Sequence, residues 1–134
     1  MNNSTENCPV ILLVEDEPIL RTGTEQFLAQ RSFTVLAVAS GEEALEKFAE
    51  ADVIILDIML PGMSGIEVLH QIRQTSDVPV LMLTALHDEP TQIASFDELA
   101  DDYMSKPFSL VILEKRIKAL LPRQQPTVTL WRRG

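Results

Sequence analysis

Three acidic residues, Glu15, Asp16 and Asp57, one hydroxyl, Thr84, and one amine, Lys106, stand where apolar runs of the chain give out. Val10 to Val14 runs into Glu15 and Asp16, and Val53 to Leu56 runs into Asp57. Val80 to Leu83 runs into Thr84, and a short segment from Asp102 to Met104 leads on to Lys106. Carboxylates brought together repel one another, and a cation relieves the repulsion. Hard oxygen ligands completed by water suit Mg²⁺, which is usually held by one or two carboxylates plus phosphate. A carboxylate facing such an ion can attack phosphorus and form an aspartyl phosphate. The ion and Lys106 would neutralise charge on the transferring phosphoryl group, and Thr84 would donate its hydroxyl hydrogen to it.

Taken singly, each residue has an ordinary structural reading. Asp16 could N-cap a helix that continues with Glu17 and Pro18. Thr84 alone reads as structural, Lys106 alone as solvated, and Tyr103 as a half-buried strand aromatic. The set is informative because separate strand ends must each supply the right group.

The elements that must position this set follow from the apolar pattern. Val53 to Leu56 is apolar at successive positions, as in a strand buried on both faces. Five such runs alternate with amphipathic segments. The strands are expected at Val10 to Val14, Phe33 to Ala39, Val53 to Leu56, Val80 to Leu83 and Asp102 to Met104. Ser40 with Glu43, and Ser64 with Glu67, have the spacing of capping boxes that open helices. A fourth helix is expected with Pro90 in its first turn and Ile93, Phe96 and Leu99 along it. Ser109 is the expected N-cap of a fifth, with Leu110, Leu113, Ile117, Leu120 and Leu121 as its stripe. Strict alternation predicts an α/β fold, a doubly wound parallel sheet with helices on both faces. In such sheets ligands bind outside the carboxyl ends of the strands.

The chain has 134 residues, enough for one domain with a core, and 46% hydrophobic with 23% charged residues is globular composition. A formal net charge of −9 argues against nucleic-acid binding by this stretch itself. A lone Cys8 forms no internal disulfide, and no apolar run reaches the roughly 20 residues that span a bilayer. The opening MNNSTENCP lacks the form of a secretion signal. The expectation is a soluble, cytoplasmic protein. Residues 1–8 read as a flexible start, 9–121 as the domain, and 122–134 as a linker leading into a strand-like TVTLW, the start of a further domain or a tail.

The segments VEDEP, DIMLPGMSG, LTA and DDYMSKPF resemble, in order and spacing, the signature segments of bacterial response-regulator receiver domains. The resemblance covers roughly residues 9 to 121 and is nearest to the OmpR/PhoB class with winged-helix effectors. It implies a flavodoxin-like (βα)5 sheet of strand order 2-1-3-4-5. It also implies that Asp57 is the phosphoacceptor and that Asp16, Asp57 and the backbone carbonyl of Met59 hold Mg²⁺, with Glu15 acting through water. Thr84 and Lys106 would contact the phosphoryl group, and Tyr103 would turn inward as Thr84 moves. The Lys106–Pro107 bond would be cis. A sensor histidine kinase would be the phosphodonor, and DNA would be reached only through a C-terminal effector domain.

Two departures from the pattern matter. Leu99-Ala100 replaces the usual Gly-Ala before the two aspartates, which leaves the end of the fourth helix open. The face that pairs active dimers, made of the fourth helix, fifth strand and fifth helix, carries Gln92 and Ile112 where a basic and an acidic residue are usual. Asp101 with Arg116 would supply another typical pair. Three rivals stand beside this reading. A phosphatase using an aspartyl phosphate commonly has a second aspartate two residues after the nucleophile, and here that residue is Met59. A stand-alone carrier would have no effector. A flavodoxin's flavin phosphate would be repelled by the acidic loop after the first strand. No turnover of an external substrate is expected.

Overall fold

The computed structural model of the chain describes residues 8–85 and 99–121. Five strands, β1 (Val10–Val14), β2 (Thr34–Val38), β3 (Val53–Asp57), β4 (Val80–Ala85) and β5 (Asp102–Lys106), form one sheet in the order β2-β1-β3-β4-β5. Every neighbouring pair is parallel. All five strands therefore finish at one rim, where the polar residues singled out above are gathered.

Burial along the sheet follows from its two-residue side-chain period. Leu12, Val14, Ile54, Leu56, Val80 and Met82 form one buried face, packed against helices α2 (Gly41–Lys47) and α3 (Gly65–Arg73) through Ala44, Val68, Leu69 and Ile72. Ile11, Leu13, Val53, Ile55, Leu81 and Leu83 form the other. That face is covered by α1 (Pro18–Ala29) through Leu28, and by the C-terminal helix (Leu110–Leu120) through Leu113 and Ile117. Burying such a Leu or Ile side chain contributes about 1.5–3 kcal/mol.

The caps hold the helices to their strands. The Ser64 hydroxyl accepts from the Glu67 amide while the Glu67 carboxylate accepts from the Ser64 amide, a complete capping box. Ser40 likewise accepts from Glu43 N, but the Glu43 carboxylate reaches one residue further, to Ala39 N at 2.9 Å. Ser109 caps the C-terminal helix through Ile112 N. The cap of α1 removes the ordinary alternative raised for Asp16. It is Glu17, not Asp16, whose side chain accepts from Leu20 N at 2.8 Å. Pro18 starts α1 one residue later than an Asp16 cap would require, and the longer Glu17 side chain closes the gap.

Four strand limits also differ, the third and fourth strands running on through Asp57 and Ala85. The second strand is shorter than Phe33 to Ala39, because Ser32 takes a positive φ of 72° and Phe33 turns into the core. The fifth is longer than expected and runs through Lys106, paired with β4 as far as Ala85. The expected fourth helix, with Pro90, Ile93 and Phe96, and the position Gln92 lie outside the described residues. Leu99 is described and packs against the α2–α3 side of the core.

Candidate functional site

The two-residue period decides which groups meet at the rim. Glu15 continues the parity of Ile11 and Leu13, Asp57 that of Val53 and Ile55, and Lys106 that of Met104, so all three share the face covered by α1 and the C-terminal helix. Lys106 Nζ lies 2.8 Å from Asp57 Oδ2 and 2.9 Å from Glu15 Oε1. The first contact is a hydrogen bond. The second is an ion pair whose angle falls outside hydrogen bonding, so Glu15 Oε1 is buried with no hydrogen-bond partner.

Glu15 is 1% exposed and Asp57 3%, whereas Asp16 lies on the surface of the rim. Burial is the largest influence on Glu15 and, helped by the charge of Asp57, lifts its carboxyl above the ordinary 4.5 despite Lys106 and the Glu17 amide. Burial alone would lower the Lys106 amine, but its contacts with Asp57 and then Glu15 outweigh that and raise it above 10.5. The ammonium therefore stays charged at neutral pH.

One oxygen from each of Glu15, Asp16 and Asp57 lies within 4.8 Å of the others. Three carboxylates facing one ammonium leave an excess of negative charge, which fits a small hard cation. The three carboxylates of the expected metal set thus lie close together, and in the same loop Met59 N donates to Asp57 Oδ1 at 3.2 Å.

Thr84 is buried on β4, one residue beyond Leu83, the register partner of Asp57. By parity Thr84 belongs with Val80 and Met82, on the opposite face from Asp57 and Lys106. Tyr103, paired in register with Met82, is 39% exposed. The Lys106–Pro107 peptide is cis, as expected.

The expected pairing of Asp101 with Arg116 does not describe their contacts within the chain. Arg116 Nη1 lies 3.0 Å from both carboxylate oxygens of Asp102. Asp101 instead accepts from Arg73 at 3.0 Å and from Val80 N at 2.8 Å. Neighbouring strand residues point to opposite faces, and Asp102 is the one on the side of the C-terminal helix. On that helix Ile112 is 47% exposed.

Sequence reasoning missed two residues that build the site. A Cβ on Gly65 would lie far inside van der Waals contact distance of the Asp57 carbonyl oxygen, so only glycine lets α3 start against the end of β3. Gly65 N donates to Ile58 O at 2.8 Å. The signal was present as a glycine directly after an N-cap serine, where Cβ-bearing residues are usual. The other is Arg21, whose guanidinium donates to the Glu15 carbonyl at 2.9 Å and to the Asp16 carbonyl at 3.3 Å.

Comparison with known proteins agrees with this geometry. The response regulator receiver domain model matches residues 11–118. Response regulator RR06 of Streptococcus pneumoniae is 46% identical, covering 91% of this chain and 57% of its own length. Regulatory protein VanRB of Enterococcus faecalis is 50% identical, covering 84% of this chain and 52% of its own length. The chain thus spans about half the length of these curated relatives. The crystal structure of the response regulator protein TrrA from Thermotoga maritima, in complex with Mg²⁺-BeF, superposes with a TM-score of 0.75 at 36% identity. That match covers 84% of this chain and 99% of TrrA. Together with the 2-1-3-4-5 sheet and the acidic rim, these matches establish that the chain belongs to the response regulator receiver domain family of two-component signalling.

Proposed function

We propose that this domain accepts a phosphoryl group on Asp57 and uses the new charge to change the surface formed around β5 and the C-terminal helix. The observation that carries the reading is the Lys106 ammonium held between Asp57 and Glu15, beside a third carboxylate from Asp16. The phosphodonor is a phosphohistidine of a sensor kinase. An Asp57 oxygen forms the new O–P bond as the N–P bond breaks, and the departing imidazole nitrogen keeps the electron pair and takes up a proton. The Lys106 ammonium is positioned to compensate charge on a phosphoryl oxygen.

Mg²⁺ would be held by Asp16, Asp57 and the Met59 carbonyl, with Glu15 through water, and when bound it offsets phosphoryl charge. The remaining work belongs to the chain. Burial of Asp57 limits water at the acyl phosphate, and the Thr84 hydroxyl, buried at the same rim but on the opposite strand parity, donates to a phosphoryl oxygen only after the new charge draws it across. Tyr103, partly exposed here, turns inward as Thr84 moves. The two arrangements pre-exist, and phosphorylation shifts their populations.

The output reading is of the OmpR/PhoB kind. The segment after Leu121 is a linker into a DNA-binding half, in keeping with relatives about twice as long. The domain works in the cytoplasm and turns over no external substrate. Its dimer face includes Gln92, Asp101, Ile112 and Arg116, with Ile112 making it less polar than is usual. Among the described residues no helix is long and apolar enough to cross a membrane.

Incubation with a small phosphodonor and Mg²⁺ is expected to add one phosphate, detected by intact mass. If Asp57→Asn labels as well as the parent, the assignment of the acceptor is wrong.

A further inference from the structure

Of the three rim carboxylates, Asp16 is held least directly. Glu15 accepts from Glu17 N at 3.1 Å and pairs with Lys106, and Asp57 accepts from Met59 N and Lys106. Among the described residues the exposed Asp16 side chain has no hydrogen bond or ion pair of its own. Its place at the rim is therefore set by its backbone.

That backbone is only a three-residue connection, Glu15 to Glu17, between β1 and α1. Its entry is tied by Glu15 N donating to Val38 O at 3.1 Å, and its exit by the Glu17 cap on Leu20 N at 2.8 Å. Between these ties the carbonyls of Glu15 and Asp16 turn toward α1. One guanidinium nitrogen of Arg21, one turn into that helix, bridges both. A charged donor to a carbonyl makes a hydrogen bond stronger than a neutral one. Arg21 is itself only part-exposed, which limits its alternative conformations.

We propose that Arg21 is a positioning residue for the cation site, clamping the Glu15–Asp16 backbone so that the Asp16 carboxylate meets those of Glu15 and Asp57. This inference rests on the reading of the rim as a Mg²⁺ site. It assigns the guanidinium a role in binding the ion without touching it. A partner that orients a ligating carboxylate typically changes metal affinity by about 10–100-fold. Two effects of Arg21 oppose each other. Its positive charge repels a cation, and its clamp gathers the ligands. The clamp dominates, because the charge is partly exposed and screened while the ligand set is incomplete unless Asp16 is in place.

The test is calorimetric titration of the full chain with MgCl₂, for the parent, Arg21→Met and Arg21→Lys, with thermal melts in chelator alongside. Arg21→Met is expected to weaken Mg²⁺ binding by about tenfold or more. Arg21→Lys, which keeps the charge but is shorter and places its amine less surely between the two carbonyls, is expected to fall between it and the parent. Labelling of Arg21→Met by a small phosphodonor should return toward the parental level as Mg²⁺ is raised, which a general loss of structure would not produce. Unchanged affinity in both variants overturns the proposal even if the chelator melts are lowered. Tighter binding by Arg21→Met with Arg21→Lys unchanged also overturns it, in favour of a purely electrostatic role. If Arg21→Met does not fold, the affinity of Arg21→Lys decides alone. Failure of the parent to bind Mg²⁺ overturns the reading of the site itself, and is distinguished by appearing in all three proteins.

Discussion

The central strand β3 and the edge strand β5 finish at the same rim, and each delivers one charge of the same ion pair. Their surroundings differ. β3 is buried at all five positions, whereas β5 alternates between partly buried and exposed residues. β3 is enclosed by β1 and β4 and by helices on both faces. β5 has a strand on one side only and carries Tyr103 partly exposed. The Asp57 carboxylate is thus built into a strand enclosed on every side. The ammonium that answers it sits on an edge strand whose described residues are less buried. Regions that change conformation are drawn from the less buried end of a structure, and among the described residues β5 with the flanking face of the C-terminal helix belongs to that end.

The contrast can be broken most forcefully at the centre. Ile55→Ala removes a fully buried side chain beside the acceptor and is expected to cost about 2–5 kcal/mol in urea unfolding. A loss below 1 kcal/mol would show that β3 is not the rigid frame described above. Gly65→Ala forces a methyl group against the Asp57 backbone, and overpacking of this kind costs about 1–3 kcal/mol. It should also suppress phosphodonor labelling although no reacting group is altered. Normal labelling would mean that the loop after β3 adapts.

Glu15→Gln sharpens the comparison through pH. The Glu15 carboxyl is raised in the folded state, chiefly by burial, so the folded protein holds this proton more tightly than the unfolded chain. That contribution to stability is present below about 4.5 and is lost as pH rises through the raised folded value. In chelator, thermal melts of the parent should therefore lose stability over that window relative to Glu15→Gln, which ends more stable at neutral pH. Parallel melting curves across the window would refute the buried-charge account. At the edge the effects should be small. Arg116→Ala breaks a half-exposed pair with Asp102, worth about 0–1 kcal/mol. Its urea midpoint is expected to stay near that of the parent, and a loss comparable to Ile55→Ala would erase the distinction between the two strands.

The sequence revealed the centre better than the edge, for a physical reason. A strand buried on both faces must be apolar at successive positions, so β3 and the singular carboxylate at its end stand out in one dimension. Capping spacings are equally local, and Ser64 with Glu67 formed the complete box. Partner choice among neighbouring charges is not local. Asp101 and Asp102 are alike in sequence, and only the pleat sends one to Arg73 and the other to Arg116. Asp16 and Glu17 posed the same problem at the start of α1, where reach and the position of Pro18 decided the cap. Arg21 was unremarkable as a helix residue until the carbonyls it bridges were brought beside it. Thr84 and Tyr103 were legible as residue types, whereas their separation from Asp57 by strand parity emerges only from the register.

A sheet whose strands all run the same way has a practical front and back. The entry to β1 at Val10 and Asp57 at the end of β3 lie at opposite rims, a strand length of roughly 16 Å apart. A bulky fluorophore or surface anchor joined at Pro9 would thus attach at the rim opposite the acidic cluster, leaving that cluster uncovered. For single-molecule or immobilised assays, the amino-terminal side is the handle of choice.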